Sequence, residues 1–323
     1  MHHTHLATIL CVLSAPAFAQ DGPRLGLPVD CVLGETCFIQ QYVDYDPGPG
    51  FQDYACEQLS YDGHKGTDFA LISHLEMMAG VDVIASAPGK VTGVRDGMRD
   101  ILYTTDIETE VDGRECGNGV AVDHGHGWTT QYCHMRNGSV SVVEGQNVER
   151  GERLGLIGIS GKTQFPHVHL SVRHRGNTVD PFNPAGELAC EQAPSQSMWI
   201  DPPTYKPGGI IATGFSTSLP NFGSISFGDA AISHLSVDAP ALVAWGYLYG
   251  GQIGDTIKIS INGPEGEVSS DITILEKLQA QFFQAAGRRA RDGDWARGRY
   301  EGTIELLRDG RRVDRMTTIL IVK

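Results

Sequence analysis

Three short pieces of this 323-residue chain concentrate residues that can hold a metal or move a proton. They are Gly63-His64-Lys65-Gly66-Thr67-Asp68, Tyr132-Cys133-His134-Met135 and Pro166-His167-Val168-His169-Leu170. Together they supply four imidazoles and a carboxylate. A catalytic zinc centre takes three nitrogen or oxygen ligands and keeps a fourth position for water. These residues exceed that need by two, which leaves candidates for acid and base roles. His167 and His169 are two apart in a predicted strand, so the period of two puts both rings on one face, about 7 Å apart along the chain. His64 and Asp68, four apart across a glycine, can converge on one cation from a turn, since imidazole and carboxylate both suit zinc. Taken singly, each has a plainer reading: a polar-decorated strand, a turn-capping Asp68, a surface His64.

The segments that must position these residues read as β-structure. From Tyr61 to about Val179 short β-branched runs alternate with glycine turns, and no long amphipathic helix is evident. Val81–Ala87, Lys90–Val94, Gly119–Asp123, Thr129–Cys133 and Val168–Val172 are the clearest predicted strands, with Gly125-His126-Gly127 turning a hairpin. The stretch before them, residues 20–60, contains Asp44-Tyr45-Asp46-Pro47-Gly48-Pro49-Gly50 and reads as a loop that wraps the following domain. Beyond it, Asp201-Pro202-Pro203-Thr204-Tyr205-Lys206-Pro207-Gly208-Gly209 reads as a linker, within 201–215. Residues 216–323 suit a small β-sandwich with strands at Val243–Tyr249, Thr256–Ile261 and Thr317–Val322, and a last hairpin turned at Arg308-Asp309-Gly310-Arg311. The run Leu275–Ala290 has the composition for a short helix.

The three pieces, in this order and spacing, resemble the lysostaphin and LytM type of zinc endopeptidase over roughly residues 60–185. Supporting matches are Gly117-Asn118-Gly119-Val120-Ala121-Val122-Asp123-His124-Gly125 and Gly155-Leu156-Ile157-Gly158-Ile159-Ser160-Gly161. The resemblance implies a compact antiparallel β-sandwich with a central groove. It implies that His64, Asp68 and His169 bind one Zn2+ and that His134 and His167 lie beside its water. All five positions carry the residue the pattern wants, unlike degenerate members that have lost ligands and activate other wall enzymes. Cys133 before His134, and Gln164-Phe165-Pro166 where a glycine-rich turn is common, depart from the pattern and bear on substrate preference.

The remaining histidines fit structural roles. His124 and His126 straddle a turn glycine, His174 falls on the strand face opposite His167 and His169, and His74 and His234 have no partner motif. Gly158-Ile159-Ser160-Gly161 lacks the flanking pattern of a serine-hydrolase elbow. Cys133 and His134, as successive strand residues, are expected to point apart, and a disulfide would consume the thiol.

The first 19 residues read as a signal peptide, with a short apolar run from Leu6 ending at Ala17-Phe18-Ala19; a lipid anchor on Cys11 lacks the preceding small residue it needs. Residues 1–20 hold no Asp, Glu, Lys or Arg, so the mature chain keeps the formal charge of -14, which disfavours nucleic acid and anionic surfaces as partners. No membrane span follows. Six cysteines then remain, an even set expected to form disulfides in an exported chain. Cys31 with Cys37 closes a small loop, Cys116 with Cys133 flanks a hairpin, and Cys56 with Cys190 follows by exclusion. These readings together lead to an all-β protein: residues 61–200 an endopeptidase acting on peptidoglycan cross-links or stem peptides, residues 216–323 a smaller Ig-like sandwich that could engage a protein partner. Disulfides favour a periplasmic location, with an extracellular one as the alternative. The competing functions are a non-catalytic zinc-binding regulator of another wall hydrolase and a secreted protease of Gly-rich proteins.

Overall fold

The computed structural model describes residues 22–190, 194–290 and 295–323; the expected signal peptide lies outside them. Its first half forms β1 (Cys37–Gln41), β2 (Thr67–Leu71), β3 (Asp82–Ile84), β4 (Gly89–Arg95), β5 (Asn118–Gly125), β6 (Trp128–Met135), β7 (Asn147–Val148), β8 (Arg153–Leu156), β9 (His167–His174) and β10 (Asn177–Val179). The second half forms β11 (Gly209–Ser216), β12 (His234–Leu235), β13 (Ala241–Gly251), β14 (Thr256–Gly263), β15 (Gly266–Ile274), β16 (Gln279–Arg289), β17 (Gly298–Arg308) and β18 (Arg311–Val322). Helix is confined to short segments such as α1 (His74–Ala79). No helix among the described residues is long and apolar enough to cross a membrane.

An antiparallel sheet in the order β1-β2-β9-β6-β5-β4-β7, with β10 beside β9, organises the first half. Strand β9 shows how. Its even positions, Val168, Leu170 and Val172, are buried in the core with Phe69, Val120, Val122 and Tyr132. Its odd positions, His167, His169, Ser171 and Arg173, therefore share the opposite face. A one-residue slip would exchange the two sets, so burial of the apolar set holds the chemical set in register. Strand β3 pairs with β8 apart from this sheet.

Residues 20–60 do more than loop around the domain. Their strand β1 is the edge strand of the main sheet, antiparallel to β2. Beyond it Tyr42 enters an aromatic cluster with Tyr54, Phe182 and Tyr205, at ring-centroid separations of 5.5, 5.1 and 5.3 Å. Tyr205, inside the predicted linker, also donates its hydroxyl to Asp53 at 2.6 Å; residues 201–208 are irregular in backbone yet packed, whereas 209–215, expected as linker, belong to strand β11. The disulfides among the described residues are Cys31–Cys37 and Cys116–Cys133, the pairings expected from local spacing, and Cys56–Cys190, the one expected by exclusion.

In the second half a three-stranded sheet, β11-β13-β16, faces a five-stranded one, β12-β18-β17-β14-β15. Between them lies a second core that includes Phe215, Leu242, Leu248, Ile259, Ile304 and Leu320. The run Leu275–Ala290 is not helical: Gln279–Arg289 is strand β16, paired along its length with β13. Phe282 and Ala286, its buried anchors, are four apart, a spacing that satisfies a helical stripe and one face of a strand equally. Pairing with β13 resolves the ambiguity.

Candidate metal centre and groove

Register brings the sequence-distant residues together. Asp68 on β2 lies opposite His169 on β9, Ala70 lies opposite His167, and Cys133 on β6 lies on the other side of His169. His64 sits in the turn before β2. Between them, Gly66 is obligatory: a Cβ there would come within 2.5 Å of His169 Nε2 and 2.6 Å of the Leu170 carbonyl. Only a glycine lets the turn pass so close to the ring.

His64 Nδ1 lies 2.7 Å from the Tyr42 carbonyl and so must carry the proton it donates there. The other nitrogen, Nε2, is left bare, 3.2 Å from Asp68 Oδ1 and 3.1 Å from His169 Nδ1. His169 Nδ1 is itself 2.8 Å from Asp68 Oδ1, while its Nε2 lies 2.9 Å from the Ser171 hydroxyl. With Nε2–H donated to Ser171, three lone-pair donors face one another at contact distance and would repel unless a cation or a proton lay among them. His64, Asp68 and His169 also form a group whose ligating atoms all fall within 4.8 Å. Two imidazole nitrogens and one carboxylate oxygen, two of the three residues fully buried, fit a zinc-type ion. Burial alone would raise the Asp68 carboxyl, but the surrounding imidazoles of His64, His167 and His169 outweigh it and hold it well below the usual carboxylate range.

His134 and His167 complete the cluster. Their ring centroids are 4.6 Å apart, and His134 is 6.1 Å from His169. His134 Nδ1 lies 2.8 Å from the Ser160 carbonyl, and His167 Nδ1 lies 2.9 Å from the Phe165 carbonyl. Each must therefore donate from Nδ1, which leaves Nε2 bare; that of His167 is 3.5 Å from Asp68 Oδ1. Burial pushes both imidazoles below their ordinary value, His134 far below, so both are neutral near pH 7 and able to take a proton.

One expectation about this pair fails for a clear reason. Successive strand residues should point apart, yet Cys133 and His134 both line the groove. His134 adopts a positive φ of 63°, and a register shift interrupts the β5–β6 ladder between Asn118 and Val120. The left-handed backbone breaks the alternation and turns the His134 ring inward. Cys133 is spent in its disulfide, as expected.

Sequence reading also missed the groups that aim the imidazoles: the carbonyls of Tyr42, Ser160 and Phe165, the Thr163 hydroxyl 3.0 Å from His167 Nδ1, and the Tyr61 ring stacked 4.4 Å from His64. Backbone carbonyls carry no side-chain signature, so only the fold reveals them. The remaining histidines stay apart from the site. His124 bonds the Pro88 carbonyl, and His174 stacks on Trp128. The five residues line one groove of about 830 Å³, walled by Tyr61, Gln131, Phe165 and Arg173 and, from the second half, by Ala280.

Comparison with known proteins agrees with this geometry. Residues 62–181 match the model of peptidase family M23. Over 117 residues the chain is 32% identical to the peptidoglycan DD-endopeptidase ShyA of Vibrio cholerae, covering 36% of this chain and 22% of that protein. It is 33% identical over 114 residues to the cell division protein DipM of Caulobacter vibrioides, covering 32% and 18%. The match thus spans about a fifth of the length of these relatives. A solved zinc-containing peptidase from Vibrio cholerae is 26% identical, with a TM-score of 0.28 over 45% of this chain and 39% of that one. Residues 62–181, the stretch that matches the model of peptidase family M23, hold all five clustered side chains.

Proposed function

We propose that this protein is an exported zinc endopeptidase that hydrolyses peptide bonds in the cross-links or stem peptides of bacterial peptidoglycan, acting in the periplasm. The observation that carries the reading is the convergence of three bare donor atoms, on His64, Asp68 and His169, with two further imidazoles whose bare nitrogens belong to the same groove. A structural site would use the first three and have no need of His134 and His167. The relative ShyA, named as a peptidoglycan DD-endopeptidase, supports the substrate class.

His64, Asp68 and His169 would hold the zinc ion, which supplies Lewis-acid polarisation of the scissile carbonyl and a water acidic enough to attack near neutral pH. The chain does the rest. Either His134 or His167, neutral by burial, accepts the proton of the attacking water on Nε2. The other donates a hydrogen bond to the tetrahedral oxygen or protonates the departing amine. The Ser160 and Phe165 carbonyls fix both rings through Nδ1, so neither ring must reorient when its charge changes. Asp68 stays ionised throughout and balances the positive charge that develops on His167.

The test is to incubate the zinc-loaded mature protein with purified sacculi and identify released fragments by mass spectrometry, with His169→Ala as control. Cleaved peptide bonds that disappear in the control support the reading. Intact sacculi with zinc bound would transfer it to a regulator of another hydrolase, and cleavage of Gly-rich proteins alone to a secreted protease.

A further inference from the structure

The groove-facing side of β9 does not end at His169. By the strand's period of two it continues through Ser171 to Arg173, and all three residues line the same groove. Arg173 is half-buried, yet among the described residues its guanidinium forms no ion pair. Its hydrogen bond is from Nη1 to the neutral Gln131 carboxamide at 2.9 Å. Burial lowers its affinity for a proton and no carboxylate offsets that. The carboxylates of the groove are engaged or distant: Asp68 is surrounded by imidazoles, and Glu115 is exposed at the rim. Burying a guanidinium against an amide alone sacrifices hydration without recovering a charged partner. In a chain of net charge -14 general attraction of anions is ruled out, so a cation held in the groove wall acts locally.

We propose that Arg173 is a specificity-determining residue that binds a carboxylate of the peptide substrate; this rests on the endopeptidase reading above. The planar fork of a guanidinium matches a carboxylate with two parallel N–H donors, and Gln131 fixes the fork from one side. Arg173 lies four residues beyond His169, about 13 Å along the strand. An extended peptide advances at the same rate, so the carboxylate lies within about four residues of the bond cut. It belongs either to a side chain or to the end of the peptide. Lys65 and Lys162, exposed on the groove rim, cannot substitute, because an ammonium in water binds a carboxylate weakly and without fixed geometry.

The experiment compares the zinc-loaded full chain with Arg173→Gln and Arg173→Lys on synthetic cross-linked peptides that are free acids, amidated at the terminal carboxyl, or amidated at a side-chain carboxyl. For the wild type, one of the two amidations is expected to lower kcat/KM about tenfold or more, and the arm that does so names the source. Arg173→Gln should lose the same factor on the free acid and discriminate less than twofold between acid and amide. Arg173→Lys, which keeps the charge without the fork, should fall between and serves as the comparison if the Gln variant does not fold. Calorimetric binding of the same peptides to metal-free protein should show the same preference for the acid. Equal cleavage of acids and amides by the wild type, or discrimination preserved in Arg173→Gln, overturns the assignment and leaves the endopeptidase reading intact. Absence of cleavage of every peptide and of sacculi overturns both.

Discussion

The two halves of the molecule are built from the same kind of antiparallel strand but differ in what they bury. Of the buried polar and charged side chains among the described residues, all but Ser216 and Asp255 precede residue 200. They include His64, Asp68, His134, His167, Asp53 and Asp180, whereas the second core is composed of Ala, Ile, Leu, Val and aromatic residues. Dehydrating an ionisable group costs stability unless neighbours compensate. The first half carries that cost and adds three disulfides, all before residue 200. Among the described residues the second half buries a single carboxylate, Asp255, which Arg308 compensates at 2.9 Å, and it has no disulfide. Chemistry and ease of folding are thus divided between the two β-structures.

The sharpest way to break this contrast is to remove a donor from the metal cluster. His169→Ala is expected to cost at least ~10³-fold in kcat/KM, equivalent to several kcal/mol of transition-state stabilisation. Zinc content measured by elemental analysis should fall in parallel. Next come the neutral imidazoles: His134→Ala and His167→Ala should each lower kcat by about 10²-fold or more while zinc remains bound. Full activity in either variant would remove that residue from the mechanism.

Asp180 tests the price of polar burial directly. Its carboxyl is raised to about 7, chiefly by burial, with nearby Asp53 adding to the effect against hydrogen bonds from the Phe182 N–H and Tyr45. The folded protein therefore keeps a proton that the unfolded chain releases near pH 4. The contribution of Asp180 to stability is fullest below that pH, falls as pH rises toward 7, and levels off above it, by up to about 4 kcal/mol. Asp180→Asn should abolish that slope in denaturant melts followed from pH 4 to 8. A smaller effect is expected in the second core: Leu242→Ala should cost about 3 kcal/mol, read as a lower denaturant midpoint, while the folded fraction keeps its zinc and its kcat. Loss of zinc there would show that the division of labour is incomplete.

Much of this was legible in the sequence because burial and chemistry alternate along β9: Val168, Leu170 and Val172 announce a strand, and the intervening positions carry the chemistry. His64 and Asp68 were legible by type, and register with His169 supplies their convergence. What sequence could not give is backbone-borne. The left-handed φ of His134, the carbonyls that orient each imidazole, and the strand at Cys37–Gln41 leave little trace in side-chain patterns. Leu275–Ala290 misled because helix-forming residues there are overridden by pairing with β13.

Strand β13 has one more consequence. Leu242, Ala244 and Leu248 belong to the second core, while Trp245, Tyr247 and Tyr249, on the other face, belong to the first. Phe38 of the edge strand beside the groove meets the Tyr249 ring at 4.6 Å. A strand shared in this way cannot melt from one core without stripping cover from the other, so the halves behave as one cooperative unit. Heat capacity scans should show a single transition, and a groove occupied by ligand should raise the melting temperature of the distant sandwich as well as its own.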